Sequence, residues 1–396
     1  MKPMGEGLFE KKMPRRRFFK SAAGAGIFLG LNFSSPLTVF SKKEQSLRNE
    51  DTISGASPPI REAMFYSKLS HSRVQCGLCF RRCILRDGER GECRNRENRN
   101  GTLVNLVWGR PSAIQIDPVE KEPQYHFLPG TLILCFGTAG CNFHCRFCQN
   151  WHLSQRSIED MEYFYPLSPE KAVCEAVNRR IPTISFTYNE PTSFYEYAFD
   201  IARIAKREGI CILWHSNGAI NNEPLQELLE YTDAVTIDLK GFTDTFYVRY
   251  SEGDLRKVMQ TLVKIREKGV WLEIVNLVIP TANDDPRDIE SMCRWIGKEL
   301  GNDVPLHFSR FFPAYKLTKL SPTPLETLDK CYEIARECGI QYVTIGNVPG
   351  HRLNSTYCPE CGKVLIRRTH FEVLENSITG GECPFCGHVI PGVWNT

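Results

Sequence analysis

Short apolar runs alternate with longer amphipathic stretches through the middle of the chain. Thr131–Phe136, Thr183–Thr187, Ile210–His215, Ala234–Leu239, Trp271–Ile279, Leu306–Phe311 and Tyr342–Ile345 have the length and β-branched content of buried strands. Between them, Pro169–Arg179, Ser193–Glu208, Pro224–Tyr231, Asp254–Lys268, Asp288–Leu300 and Leu325–Cys338 carry apolar residues at helical spacing. Strands separated by helices pair in parallel. About six such units predict an α/β fold, a partial (β/α)6 barrel, whose chemistry belongs at the C-terminal ends of its strands.

Outside this region the pattern changes. Residues 60–128 form an N-terminal four-cysteine module, where Gly101–Trp108 alternates like a strand and the turn-rich Asp117–Gly130, DPVEKEPQYHFLPG, leads into the barrel at 129–350. A second small module occupies 355–396. At the other end, Arg15-Arg16-Arg17-Phe18-Phe19-Lys20 followed by the weakly apolar Ser21–Leu31 makes 1–41 a Tat-type export signal. That run is too short to span a bilayer. With only Val39-Phe40-Ser41 as a weak cleavage site, the leader either is removed or stays as an anchor. The polar stretch 42–59 reads as a linker.

Composition adds one anomaly. An apolar share of 42% and a net charge of +3 over 396 residues suit a multidomain protein with a sizeable core and no nucleic-acid partner. Cysteine is different: of 17, eleven fall in three tight groups. Such grouping points to metal sites rather than a disulfide framework.

The central group lies on the loop after the first barrel strand, GTAGCNFHCRFCQNW, with Cys141, Cys145 and Cys148 at C-x3-C-x2-C spacing. Three thiolates can hold three irons of a [4Fe–4S] cube that normally takes four, leaving one iron open for chemistry. Phe147 is placed to shield one side, and His144 sits poorly to complete a zinc site instead. The first group, Cys76, Cys79, Cys83 and Cys93, spans eighteen residues with Gly88 and Gly91 to turn the chain. Structural zinc is its simplest ligand and a second iron–sulfur cluster the alternative. The last group, Cys358, Cys361, Cys383 and Cys386, has two C-x2-C-G knuckles separated by 21 residues, the pattern of a zinc ribbon.

The central loop resembles the signature of radical S-adenosylmethionine (SAM) enzymes. From Cys76 to Trp394 the chain is similar to the AmmeMemoRadiSam-system radical SAM enzymes, relatives of the pyruvate formate-lyase activating enzymes. FGTAGCNFHCRFCQNW, TYNEPT, DLKGF, HFSRFFP and IGNVPGH carry the likeness. The resemblance implies that SAM binds the open iron and is reductively cleaved to a 5′-deoxyadenosyl radical, which abstracts hydrogen from a substrate. It also implies a low-potential electron donor and Memo-like and AMMECR-like partners. The SAM site would include Glu190, where Tyr188-Asn189 replaces the usual glycines, and Ser216, Asn217, Asp238, Lys240 and His307 at later strands. No side chain is assigned a catalytic role. The substrate is either a residue of a partner protein, as for a glycyl-radical activase, or a small molecule. A non-catalytic scaffold is the remaining class. SAM and its reductant are cytoplasmic supplies, so the export-type leader and the chemistry pull towards different compartments.

Overall fold

A computed structural model describes residues 58–395. The export-type leader and the linker up to residue 57 lie outside the described residues.

The central sheet has eight strands: β1 (Ala113–Pro118), β2 (Leu132–Gly137), β3 (Thr183–Phe186), β4 (Cys211–Ser216), β5 (Ala234–Asp238), β6 (Trp271–Val278), β7 (Leu306–Arg310) and β8 (Val343–Gly346). They lie in sequence order, and the two end strands do not pair with one another. From β2 to β8 every neighbouring pair is parallel. Helices α1 (Pro169–Arg179), α2 (Tyr195–Ala205), α3 (Asn222–Leu229), α4 (Leu255–Lys268), α5 (Pro286–Glu299) and α6 (Leu325–Glu337) make the crossovers. Their boundaries follow local chemistry. Ser168, Asp254 and Asp285 accept backbone N–H groups at the starts of α1, α4 and α5, and Gly269 ends α4 with φ +76°.

One strand was not legible in the pattern. Ala113–Pro118 pairs antiparallel with β2 over six residues, so the start of DPVEKEPQYHFLPG belongs to the sheet itself. The rest of that segment crosses the sheet interior: Gln124 Nε2 donates to Thr236 at 2.9 Å, and the N–H groups of Tyr125 and His126 donate to Glu273 at 2.8–3.0 Å.

The N-terminal module contains two small three-stranded antiparallel sheets, one of Arg61–Glu62, Thr102–Asn105 and Arg96–Arg99, the other of Tyr66–Lys68, Val74–Cys76 and Ile84–Leu85. At the other end, Thr356–Tyr357, Val364–Thr369 and Glu372–Asn376 form a third such sheet. The C-terminal module is joined to the segment that follows β1 by a fully buried ion pair, Arg368 to Glu120 at 3.5 Å, and Arg368 also donates to the Tyr125 carbonyl at 2.7 Å. Beside it His126 donates from Nδ1 to the Pro391 carbonyl at 2.9 Å and packs on Tyr342 and Trp394.

Burial pushes the His126 imidazole down to about 4, against the opposing pull of Glu273 and the Pro391 bond. Its unfolded value is about 6.5, so between pH 6.5 and 4 the unfolded chain binds the proton that the folded chain refuses. The stability from neutral His126 is therefore full above pH 6.5 and lost as pH falls toward 4, by up to about 3 kcal/mol. Urea melts at pH 7 and pH 4.5 should show this acid loss in the wild type. His126→Phe should start lower at pH 7 and lose less.

Candidate active site

Because β2 to β8 are parallel and paired in register, their C-terminal ends share one edge of the sheet. The three-cysteine loop leaves β2 at that edge. Its sharp start depends on Gly137 and Gly140. A side chain at Gly137 would meet the Thr187 carbonyl at 2.9 Å, and one at Gly140, where φ is +84°, would collide with the Cys93 carbonyl. Asn189 then clamps the loop: its amide donates to the Gly140 carbonyl at 2.7 Å and its Oδ1 accepts from Thr138 N at 3.0 Å. The far side rests on a turn after β5, where His144 N and Arg146 N donate to the carbonyls of Ser251 and Tyr250. That turn, Tyr247–Ser251, is a π-helical element.

Cys141 and Cys145 are buried, and Cys148 is half-buried. Burial pushes the Cys141 thiol well above its ordinary value, with the Glu190 carboxylate adding to it. It also lifts Cys145 to about 11, where the Lys240 ammonium works in the opposite direction. Few donors stand ready to stabilise the three thiolates: Phe143 N lies 3.3 Å from Cys141 Sγ and Ser154 Oγ lies 3.2 Å from Cys148 Sγ. A bound metal removes that penalty by taking the thiolates as ligands. The donor set fits an iron–sulfur cluster.

Glu190 lies fully inside the site, at the end of β3. Its carboxylate accepts from Thr192 N (3.0 Å), Thr192 Oγ1 (2.6 Å), Ser216 Oγ (2.8 Å) and Asn217 N (2.8 Å). Burial raises its pKa, and these donors hold it back. Asn217 continues the chain of contacts, donating from Nδ2 to Asn142 Oδ1 at 2.8 Å beside Cys141. The structure thus brings Glu190, Ser216 and Asn217 together with the cysteine loop.

Asp238 and Lys240 form a second arm. They are 2.7 Å apart, and Lys240 Nζ lies 5.9 Å from the centre of the buried Phe147 ring. His215 sits between two carboxylates, Asp238 at 3.1 Å and Glu122 at 3.0 Å. Burial alone would lower its pKa; Asp238 and Glu122 instead push it up to about 10, so the ring is charged at neutral pH. Burial opposes charge on Asp238, but Lys240 and His215 hold it well below the usual carboxylate range. Tyr188, with φ +71°, donates its hydroxyl to Asp117, 2.7 Å away.

One predicted residue is not brought here. His307 is second in β7, in the half of the strand away from the cysteine edge, buried against Glu273 (2.7 Å) and Thr344 (2.6 Å). It packs on Tyr125 and lines a cavity with Thr356, Tyr357 and Cys358 of the C-terminal module. His215, Glu122 and the Tyr247–Ser251 turn are the participants sequence reasoning missed. Glu122 and the turn have no local signature, while His215 could have been noticed beside Ser216 at a strand end.

The description "Radical SAM superfamily" fits residues 136–296, from the end of β2 into α5. Those residues form a radical SAM domain. It is 43% identical over 333 residues to an uncharacterized protein of Methanocaldococcus jannaschii, covering 84% of this chain and 99% of that one. It is 24% identical to pyruvate formate-lyase 1-activating enzyme of Escherichia coli, covering 53% of this chain and 91% of the relative. Among solved structures, a domain of pyruvate-formate lyase-activating enzyme from Bacteroides vulgatus aligns at 20% identity and TM-score 0.36, over 41% of this chain and 98% of that one. This radical SAM protein is accordingly an enzyme with homology to the activating enzymes, and its family implies a [4Fe–4S] cluster and SAM.

Replacing Lys240 by Met removes an ammonium that offsets the thiolates Cys145 and Cys148. The reduction potential of the radical SAM cluster should become more negative by on the order of 50–100 mV, a Coulomb term of about 1–2 kcal/mol. A redox titration followed by electron paramagnetic resonance (EPR) measures it.

Proposed function

We propose that this radical SAM enzyme draws a hydrogen atom from a residue of a partner protein, acting as an activase within an AmmeMemoRadiSam-type system. Memo-like and AMMECR-like proteins are its proposed company, and a low-potential carrier its electron source. The observation that supports this reading most is the meeting of the thiols of Cys141, Cys145 and Cys148 with two polar arms at one edge of the parallel sheet. The homology to pyruvate formate-lyase 1-activating enzyme points the same way. We also read the open eight-stranded sheet as a partial (β/α)6 barrel.

Cys141, Cys145 and Cys148 would hold three irons. Bound cluster and SAM together supply a one-electron reductive cleavage that yields a 5′-deoxyadenosyl radical able to abstract hydrogen. The chain's own residues then have distinct tasks. Glu190 fixes the ends of β3 and β4, so that Ser216 and Asn217 face the loop in one arrangement. Asp238 and Lys240 offer an acid and a base to the carboxylate, ribose or amino group of SAM. Phe147 and Phe246, with ring centres 6.0 Å apart, keep water from one side.

For the C-terminal module we propose structural zinc. All four thiol sulfurs of Cys358, Cys361, Cys383 and Cys386 lie within 4.8 Å of one another, with cross pairs at 3.6 and 3.7 Å. Zn–S bonds of about 2.3 Å in a tetrahedron set sulfurs about 3.8 Å apart. Cys386→Ser should release about one zinc per chain and unfold this module first, which metal analysis and limited proteolysis would reveal.

The activity itself is tested anaerobically. The reconstituted, reduced full chain should form 5′-deoxyadenosine from SAM, and Cys145→Ala should form none. Transfer of deuterium from a backbone-labelled candidate protein into that product would support the activase reading. Product that stays unlabelled with every protein partner, but takes label from a small molecule, would overturn it.

A further inference from the structure

The two cysteine quartets differ in their spacing along the chain, and they differ in space as well. Among the described residues, only the C-terminal quartet gathers three or more ligand atoms within 4.8 Å of one another. No three of Cys76, Cys79, Cys83 and Cys93 do so. Nor do Cys141, Cys145 and Cys148, the triplet that suits a cube. The N-terminal thiols nevertheless face a common space: all four line one pocket with Leu78, Arg96 and Asn142. A single zinc ion would draw its sulfurs to about 3.8 Å apart, as in the C-terminal module. A cluster has several metal atoms at its corners and spreads its thiolates wider.

The surrounding residues fit a buried, negatively charged group of that kind. Arg96 is fully buried and donates from Nη1 toward Cys76 Sγ at 3.4 Å. Its other terminal nitrogen is held by the buried Glu196, which also accepts from Met64 N at 2.8 Å. A cation is therefore fixed beside one ligand. Asn221 pins the loop by donating to the carbonyls of Gly77 and Cys79 at 2.6 and 2.8 Å. The pocket also touches the radical SAM loop directly: Arg81 Nε donates to the Asn142 carbonyl at 2.9 Å, and Asn95 Nδ2 to the Ala139 carbonyl at 2.6 Å.

We infer that Cys76, Cys79, Cys83 and Cys93 bind a second iron–sulfur cluster of the cubane class, not zinc. With four thiolate ligands it has no open iron, so SAM does not bind to it. The second site stands whether or not the first cleaves SAM, because its ligands come from a separate module.

Metal and sulfide per chain, with EPR after reduction, decide the matter for the full chain reconstituted with iron and sulfide in the presence of zinc. The wild type should hold about eight irons and about one zinc. The triple variant Cys141→Ala, Cys145→Ala, Cys148→Ala leaves the N-terminal module untouched. It should keep about four irons, about one zinc and a reduced spectrum that SAM does not alter. About four irons and two zincs in the wild type, with no iron in the triple variant, would overturn the inference. Failure of the first site reads differently: the wild type then holds about four irons, which Cys79→Ser removes and the triple substitution spares. Retention of the ribbon zinc reports that each variant has folded.

Discussion

The site depends on a carboxylate taken out of water. Burying a charge costs several kcal/mol unless hydrogen bonds replace its hydration. Glu190 meets that demand with donors from its own turn, Thr192, and from the end of the next strand, Ser216 and Asn217. The consequence is geometric. Two adjacent strand ends are locked together, and Asn217 is carried to Asn142 on the cysteine loop. Asn189, one residue earlier, clamps the start of the same loop. A single turn after β3 therefore sets both the platform and the position of the thiols above it.

Charge balance forms the second layer. Buried thiols resist ionising, as the raised values at Cys141 and Cys145 express. The nearest offset is Lys240, which is itself anchored by Asp238, and Asp238 by His215. This chain of alternating signs runs from Glu122 inside the sheet to the cysteine loop at its edge. Its members are held by one another, so the loss of one leaves a neighbour buried and unpaired, a larger effect than the loss of a surface pair.

Much of this was legible in the sequence, for a physical reason. Parallel strands and crossover helices impose their own periodicity, and cysteines two or three residues apart on one loop stand close enough to share a metal. The seven parallel strands and the three cysteine groups were visible on that basis. The N-cap residues Ser168 and Asp254 also mark helix starts where the pattern begins. Contacts between distant segments leave no such trace. The antiparallel Ala113–Pro118 gains its place from β2 rather than from its own alternation, and Glu122 meets His215 from 93 residues away. His307 shows the complementary failure: its strand was legible, but its place near the strand's start put it beside Glu273 on the far side from the thiols. Spacing left the ligand of the N-terminal quartet open between zinc and a cluster; in space, the C-terminal thiols gather closely while the N-terminal ones line a common pocket.

The central claim is that Cys141, Cys145 and Cys148 hold a cluster with one open iron to which SAM binds. EPR of the reduced full chain, recorded with and without SAM labelled with 17O in its carboxylate, tests it most directly. Binding at the open iron predicts a shifted spectrum with line broadening from the labelled oxygen, lost when Cys145 is replaced by Ala. A spectrum unchanged by SAM in a chain with its full complement of iron would contradict the account.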